Sequence, residues 1–120
     1  MKLLLTLMAA VEAATGVALL ASPVLVVQIL LGTEIAGAAV PLGRIGGAGL
    51  LALGFACWAA RGASPRSGLP TALLYNAAAV LILAPAGLQF PTAGVVLWLA
   101  VVGHAAMTVW CVALIARRPS

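Results

Sequence analysis

The chain has 120 residues, of which 65% are hydrophobic and only 7% are charged, and its mean hydropathy is +1.26. A soluble domain is about 45–50% apolar and about 25% charged, so this composition excludes an ordinary water-exposed surface. The formal net charge is only +4, and the basic residues stand singly or in pairs between apolar runs, which argues against nucleic acid as a partner. We therefore expect a single domain over residues 1–120 whose main partner is the lipid bilayer.

The first apolar run covers residues 3–21, directly after Lys2. It is just long enough to cross a bilayer as a helix. A basic start and the small residue Ala21 also fit a cleaved signal peptide. Glu12 inside the run, and the large Leu19 where the cleavage pattern needs a small residue, favour a retained transmembrane helix.

A second helix is predicted over residues 23–31, which are too few to span a membrane. Pro23 is tolerated at the first helical position, and Gly32 is placed to end the helix. We expect this segment to lie at the membrane interface or over the other helices, with Gln28 and Glu34 toward water.

The next apolar run, residues 35–60, carries an arginine near its middle, Arg44. Pro41 cannot donate a helical hydrogen bond, so it predicts a kink about one turn before that arginine. Gly43 and Gly47 form a GxxxG pair, which in lipid lets a neighbouring helix approach closely.

The last two runs cover residues 69–87 and 92–116. Pro85 and Gly87 predict the end of the first of them. The connection at 88–91 is very short, so these two helices should be antiparallel neighbours.

If the chain crosses the membrane four times, the basic residues outside the spans all fall on one side, and the opposite side carries only Glu34. These basic residues are Lys2, Arg61 and Arg66 in the loop, and Arg117 and Arg118 in the tail. The side rich in Lys and Arg is normally cytoplasmic. The sequence thus predicts an all-α integral membrane protein. It would be a four-transmembrane-helix bundle in the plasma or inner membrane with both termini cytoplasmic and a short interfacial helix between its first and second spans.

Each predicted span contains a strongly polar residue among small side chains, a pattern typical of faces inside membrane bundles: Glu12, Arg44, Asn76 and His104. At ~1.5 Å per residue, Glu12 and Arg44 each lie about 13 Å below the outer ends of their runs. We expect the two to pair, with His104 near the same level and Asn76 somewhat lower. Tyr75 is included in this candidate cluster, although its sequence context favours a packing role over a catalytic one.

The cluster has two interpretations. Two opposite charges, such as those of Glu12 and Arg44, can merely neutralise each other and fix how the helices align. Ionisable groups inside a membrane are also functional candidates, as a ligand site or a proton site.

No catalytic or nucleotide-binding motif is present in the sequence, which disfavours an enzyme and predicts no catalytic residue, metal site or cofactor. An enzyme would have to work with the few polar residues of the spans and a cysteine: Glu12, Arg44, Tyr75, Asn76 and His104. One histidine cannot supply both axial imidazoles of a membrane haem. Cys57 and Cys111 lack metal-ligand spacing and should be free and buried. Both fall near the cytoplasmic ends of their helices, where a disulfide is disfavoured.

The segment AAVEAATGVALL, which surrounds Glu12, resembles the first helix of the small multidrug resistance exporters. Those proteins have a similar length, four crossings and one essential glutamate in the first crossing. The resemblance covers about one crossing and implies proton-coupled transport through Glu12. The second run departs from that family by carrying Arg44, and the third lacks the family's Gly-x-Gly and tryptophan.

Two functions remain open from the sequence. The first is an accessory or interaction subunit of a membrane assembly, with other membrane proteins or further copies of the chain as partners. The second is a small transporter or permease with a polar site near the middle of the membrane. A cavity that connects the polar cluster to one face would separate them.

Overall fold

The computed structural model describes residues 1–117, and every regular element in that range is a helix. The five helices are α1 (Lys2–Ala21), α2 (Pro23–Leu31), α3 (Ala39–Ala63), α4 (Leu69–Gln89) and α5 (Val95–Ala116). All but α2 are long and apolar enough to cross a membrane. The predictions of an all-α protein with four long apolar helices are confirmed. Arg118, which belongs to the basic tail used for the topology prediction, lies outside the described residues.

Helices α1 and α3 pack antiparallel with their backbones in close contact. A Cβ atom built on Gly16 would lie 2.7 Å from the carbonyl oxygen of Gly47, and one on Gly54 would lie 2.9 Å from the backbone nitrogen of Ala13. Contacts this short leave no room for a side chain, so glycine is required at these crossings. Gly43, the other member of the GxxxG pair, faces α2 instead, where a Cβ built on it would lie 2.7 Å from Cβ of Pro23.

The start of α3 differs from the prediction. The helix begins at Ala39 rather than at residue 35 and continues to Ala63 rather than ending at 60. Gly37 has a φ of +57°, which lies outside the α-helical region, so the helix cannot extend back through residue 37. Pro41 therefore falls in the first turn, where backbone N–H groups form no intrahelical hydrogen bonds and a proline removes none. The predicted reason for a kink does not apply.

Helices α4 and α5 form the second antiparallel pair, as the short connection predicted. Helix α4 does not stop at Pro85 and Gly87 but continues to Gln89, and α5 begins at Val95 instead of residue 92. A Cβ on Gly87 would lie 2.5 Å from a methyl carbon of Leu97. Gly87 thus serves the close packing of the two helices rather than the end of α4.

The two pairs meet at one end of the molecule, around a core of buried apolar side chains: Leu4, Leu5, Met8, Ala9, Cys57, Leu69, Ala72 and Cys111. Both cysteines are free and buried, as predicted. Arg66 donates from Nη2 to the carbonyl oxygen of Arg117 at 3.4 Å, which joins the loop to the end of α5. We call this the basic end; it comprises Lys2, Arg61, Arg66 and Arg117.

Helix α2 lies across the opposite end and connects the two pairs. The N–H of Gly94 donates to the carbonyl of Leu30 at 3.1 Å, and the hydroxyl of Thr92 donates to the carbonyl of Leu31 at 2.8 Å. Gln28 and Glu34 are exposed, as predicted. The gap between the two helical pairs is therefore closed by the core at the basic end and covered by α2 at the other.

Candidate functional site

Asn76 on α4 is the centre of a buried hydrogen-bond network and is only 1% exposed. Its Nδ2 donates to the carbonyl of Ala72 at 2.7 Å and to the sulfur of Met8 at 3.2 Å. This assigns the amide nitrogen to the side of Ala72, so Oδ1 is the atom that lies 2.8 Å from Nδ1 of His104. The network connects α1, α4 and α5.

The contact with Asn76 also determines how His104 presents its ring. Because an amide oxygen can only accept, Nδ1 of His104 must carry the hydrogen and donate it. In a neutral imidazole the other nitrogen, Nε2, is then a bare acceptor. The ring of Tyr75 meets the imidazole edge-to-face, with 5.6 Å between centroids and an interplanar angle of 78°. The orientation of His104 is thus held from two sides.

Glu12 on α1 belongs to the cluster because it contacts Tyr75 of α4. It is only 3% exposed, and its carboxyl group lies beside the hydroxyl of Tyr75. Four of the five predicted cluster residues are therefore brought together by three helices: Glu12, Tyr75, Asn76 and His104.

Arg44 is not part of this cluster. It is exposed, and Gly47, less than one turn further along α3, already packs against Leu19 and Leu20 near the end of α1. Leu19 lies about 10 Å beyond Glu12 along α1. Because α3 begins at Ala39, Arg44 lies in its second turn, near the end of the helix rather than near its middle. The predicted Glu12–Arg44 pair is therefore not formed between the described side chains.

A cavity of about 680 Å³ lies between the helical pairs and reaches the cluster. Glu12, Tyr75, Asn76 and His104 line the part of it nearer the basic end. Val26, Val27 and Leu30 of α2 line the opposite part. The cavity thus has a polar floor and an apolar roof.

The walls of the cavity are mostly apolar, and no Lys or Arg in residues 1–117 lines it. Val11 of α1 and Leu99 of α5 both line the cavity, yet they are 51% and 66% exposed. Side chains that border both the cavity and the outside mark an opening, so the cavity opens sideways between α1 and α5. An apolar space with a few convergent polar groups is the usual form of a small-molecule site.

Several lining residues were not singled out from the sequence. Met8 accepts from Asn76, Thr15 lines the cavity one turn after Glu12, and α2 supplies the roof. The spacing of Thr15 from Glu12 was a usable signal, but nothing in the pattern of α2 indicated that it would cover a cavity. No group of three potential metal ligands occurs within the described part of the chain.

No protein-family model, no curated protein and no solved structure matches this chain.

Proposed function

We propose that this protein is a four-helix transmembrane bundle of the plasma or inner membrane, with both termini in the cytoplasm. Support comes from four helices of sufficient length and hydropathy and from the grouping of Lys2, Arg61, Arg66 and Arg117 at one end. Basic residues concentrate on the cytoplasmic side of membrane proteins. Trp58, exposed near the same end with the guanidinium of Arg61 at 3.3 Å from its ring centroid, suits an interfacial position.

Within that membrane, we propose that the protein binds a small, largely apolar molecule in the cavity and acts as a transporter or permease for it. The observation that carries this proposal is the cavity itself, because a purely structural polar cluster would be sealed by packed side chains. In a bilayer the opening between Val11 and Leu99 would face acyl chains, and an apolar molecule could enter from the lipid.

The position of Arg44 also supports a functional cluster. A carboxyl group buried inside a membrane needs a proton or a cation, because an isolated charge there is costly. Arg44 does not supply that cation to Glu12, so the cluster is not a self-neutralising pair of fixed charges. Proton-coupled transport through Glu12, as in small multidrug resistance exporters, is one form that this function could take.

The test is to fill the cavity without disturbing the packing. Gly103 of α5 lines the cavity, and a Cβ placed there meets nothing within 4 Å. We expect Gly103→Phe to abolish the binding of decyl compounds (1-decanol, decylamine and decanoate) that native mass spectrometry detects on the wild-type protein released from mild detergent.

The matched control is Gly49→Phe. Gly49 lies on a helix, is exposed and has equal space around a Cβ, but it does not line the cavity. This variant should bind the probes as the wild type does. The proposal is wrong if no decyl compound binds the wild-type protein, or if Gly103→Phe binds them as well as Gly49→Phe does.

A second candidate function is that of an accessory subunit. A separate groove of about 810 Å³ runs between α1 and α3 on the outer surface, lined by small side chains such as Ala10 and Ala52 with Phe55 and Trp58 beside them. Small-residue surfaces of this kind let another transmembrane helix approach. A pull-down in mild detergent with Ala52→Phe beside the wild type tests it, since the larger side chain should release any partner helix.

A further inference from the structure

We propose that the ligand of this cavity is electrically neutral and consists of an apolar body with a hydroxyl head group, which donates its hydrogen to Nε2 of His104. This inference rests on the proposed function and specifies the class of molecule bound. Three properties of the cavity lead to it: the free acceptor of His104, the absence of a fixed cation, and the hydroxyl of Tyr75 beside Glu12.

The first property is the acceptor. Asn76 uses its Nδ2 on Ala72 and Met8, so its Oδ1 takes the Nδ1 hydrogen of His104 and leaves Nε2 without one. No side chain among residues 1–117 forms a hydrogen bond with Nε2, and His104 lines the cavity. Nε2 is open to the cavity rather than enclosed by side chains, so a ligand that donates a hydrogen bond to it gains affinity of about 0.5–1.5 kcal/mol. A head group without a donor does not.

The second property is the charge of the site. No Lys or Arg of the described chain lines the cavity, so a carboxylate or phosphate head would be buried without a counter-ion. The titratable groups near Glu12 are Tyr75 on α4, His104 on α5 and Cys57 on α3, and none of them is a permanent cation. The roof from α2 adds no charge.

A cationic head would need Glu12 to lose its proton. Bringing two opposite charges out of water costs several kcal/mol per ion, and their attraction often no more than offsets this. A neutral head leaves the carboxyl group protonated and avoids that cost. The site with a neutral ligand bound then holds no buried charge, which favours a neutral ligand over an amine.

The third property is the hydroxyl of Tyr75, which lies beside the carboxyl group of Glu12. A hydroxyl head group has one hydrogen to donate and two lone pairs to accept with. It can donate to His104 and accept from Tyr75 or from protonated Glu12 in one position. An ether can only accept, so it would leave His104 without a partner.

The apolar body of the ligand follows from the length of the cavity. Its lining on α1 extends from Met8 to Leu19, a length of about 16 Å for a helix. The remaining walls are apolar up to the roof formed by Val26 and Leu30. This space accepts a decyl chain with its head group on the polar floor.

The decisive experiment compares probes of one chain length on the wild-type protein. The occupancy of 1-decanol, decyl methyl ether, decylamine and decanoate is measured by native mass spectrometry over a range of concentrations. We expect 1-decanol to bind about tenfold more tightly than the ether, because only the alcohol donates a hydrogen bond. Decylamine and decanoate should bind more weakly than 1-decanol.

A protein variant tests the same contact from the other side. His104→Phe keeps a ring but removes the acceptor, and it should reduce the preference for 1-decanol over the ether to about twofold or less. Thr108→Val is the control, because it removes a hydrogen bond to the backbone carbonyl of His104 but leaves the imidazole in place, and Thr108 does not line the cavity. It should keep the wild-type preference.

The outcomes separate this inference from the proposed function. Equal binding of the alcohol and the ether to wild type overturns the hydrogen bond to His104, and tighter binding of decylamine or decanoate overturns neutrality. In each of those cases loss of binding in Gly103→Phe would still support the cavity as a site. Failure of every probe to bind wild type would instead contradict the proposed function.

Discussion

Gly16 of α1 and Gly47 of α3 face each other across the helix crossing, each against the backbone of the other. A Cβ on Gly16 would lie 2.7 Å from the carbonyl oxygen of Gly47, and one on Gly47 would lie 2.8 Å from that of Gly16. The backbones cannot separate locally, because Gly54 and Ala13 repeat the close approach two turns away. This crossing fixes the position of α1, and therefore of Glu12, relative to α3.

The first prediction concerns that crossing. Gly47→Leu should destabilise the protein by about 1–3 kcal/mol, because the new side chain must displace backbone atoms of α1. The free energy of unfolding in SDS–detergent mixtures measures it. Gly46→Leu is the control, since a Cβ on Gly46 meets nothing within 4 Å. Equal stability of the two variants would mean that α1 does not lie against Gly47.

A second prediction separates Glu12 from Arg44. The two lie at different levels of the molecule, so Glu12→Gln and Arg44→Met should add within about 0.3–0.5 kcal/mol in a double-mutant cycle. Glu12→Gln and Tyr75→Phe should instead show a coupling energy of about 0.5–3 kcal/mol, because the carboxyl and hydroxyl groups are neighbours. A large coupling to Arg44 would restore the ion pair expected from the sequence.

The third prediction concerns the network around Asn76. Asn76→Leu removes the partner of Nδ1 in His104 and leaves that donor buried, which should cost about 1–3 kcal/mol. Thr108→Val removes one hydrogen bond to a backbone carbonyl and should cost less. Unfolding free energies of the two variants, measured side by side, decide whether the network contributes to stability; no difference would argue that it does not.

A fourth prediction concerns the attachment of α2. Thr92→Val removes the hydroxyl that donates to Leu31, which should cost about 0.5–1.5 kcal/mol and allow α2 to open more often. Faster amide hydrogen exchange in residues 23–31 is the expected result. Thr33→Val provides the matched substitution, because no side-chain hydrogen bond of Thr33 occurs in the described chain. If both variants exchange alike, Thr92 does not hold the roof of the cavity.

The fifth prediction is the topology. Ser64→Cys in the loop of the basic end should react with a membrane-impermeant maleimide only after the cell is opened, whereas Glu34→Cys should react in intact cells. The native thiols of Cys57 and Cys111 are buried and should contribute little background. Labelling of position 64 in intact cells would show that the orientation is the opposite of the one proposed.

Much of the fold was readable from the sequence. Long apolar runs predicted four helices, and the boundaries of the short helix 23–31 followed from Pro23 and Gly32. The candidate site residues could also be recognised from the sequence, because polar side chains inside long apolar runs are rare. The start of α3 was misread, since apolar residues continue through 35–38 where the positive φ of Gly37 breaks the helix.

What the sequence determined was which residues are apolar, where the helices lie and which side chains are polar, because these depend on composition and local chain geometry. Only the tertiary structure decided that Glu12 lies beside Tyr75 rather than Arg44. Which side chains of adjacent helices lie at the same depth depends on where the helices cross. The crossing of α1 and α3 is set by backbone contact at Gly16 and Gly47. The cavity exists because that contact and the pairing of α4 with α5 leave a gap between the two pairs, a long-range outcome of packing that no local pattern encodes.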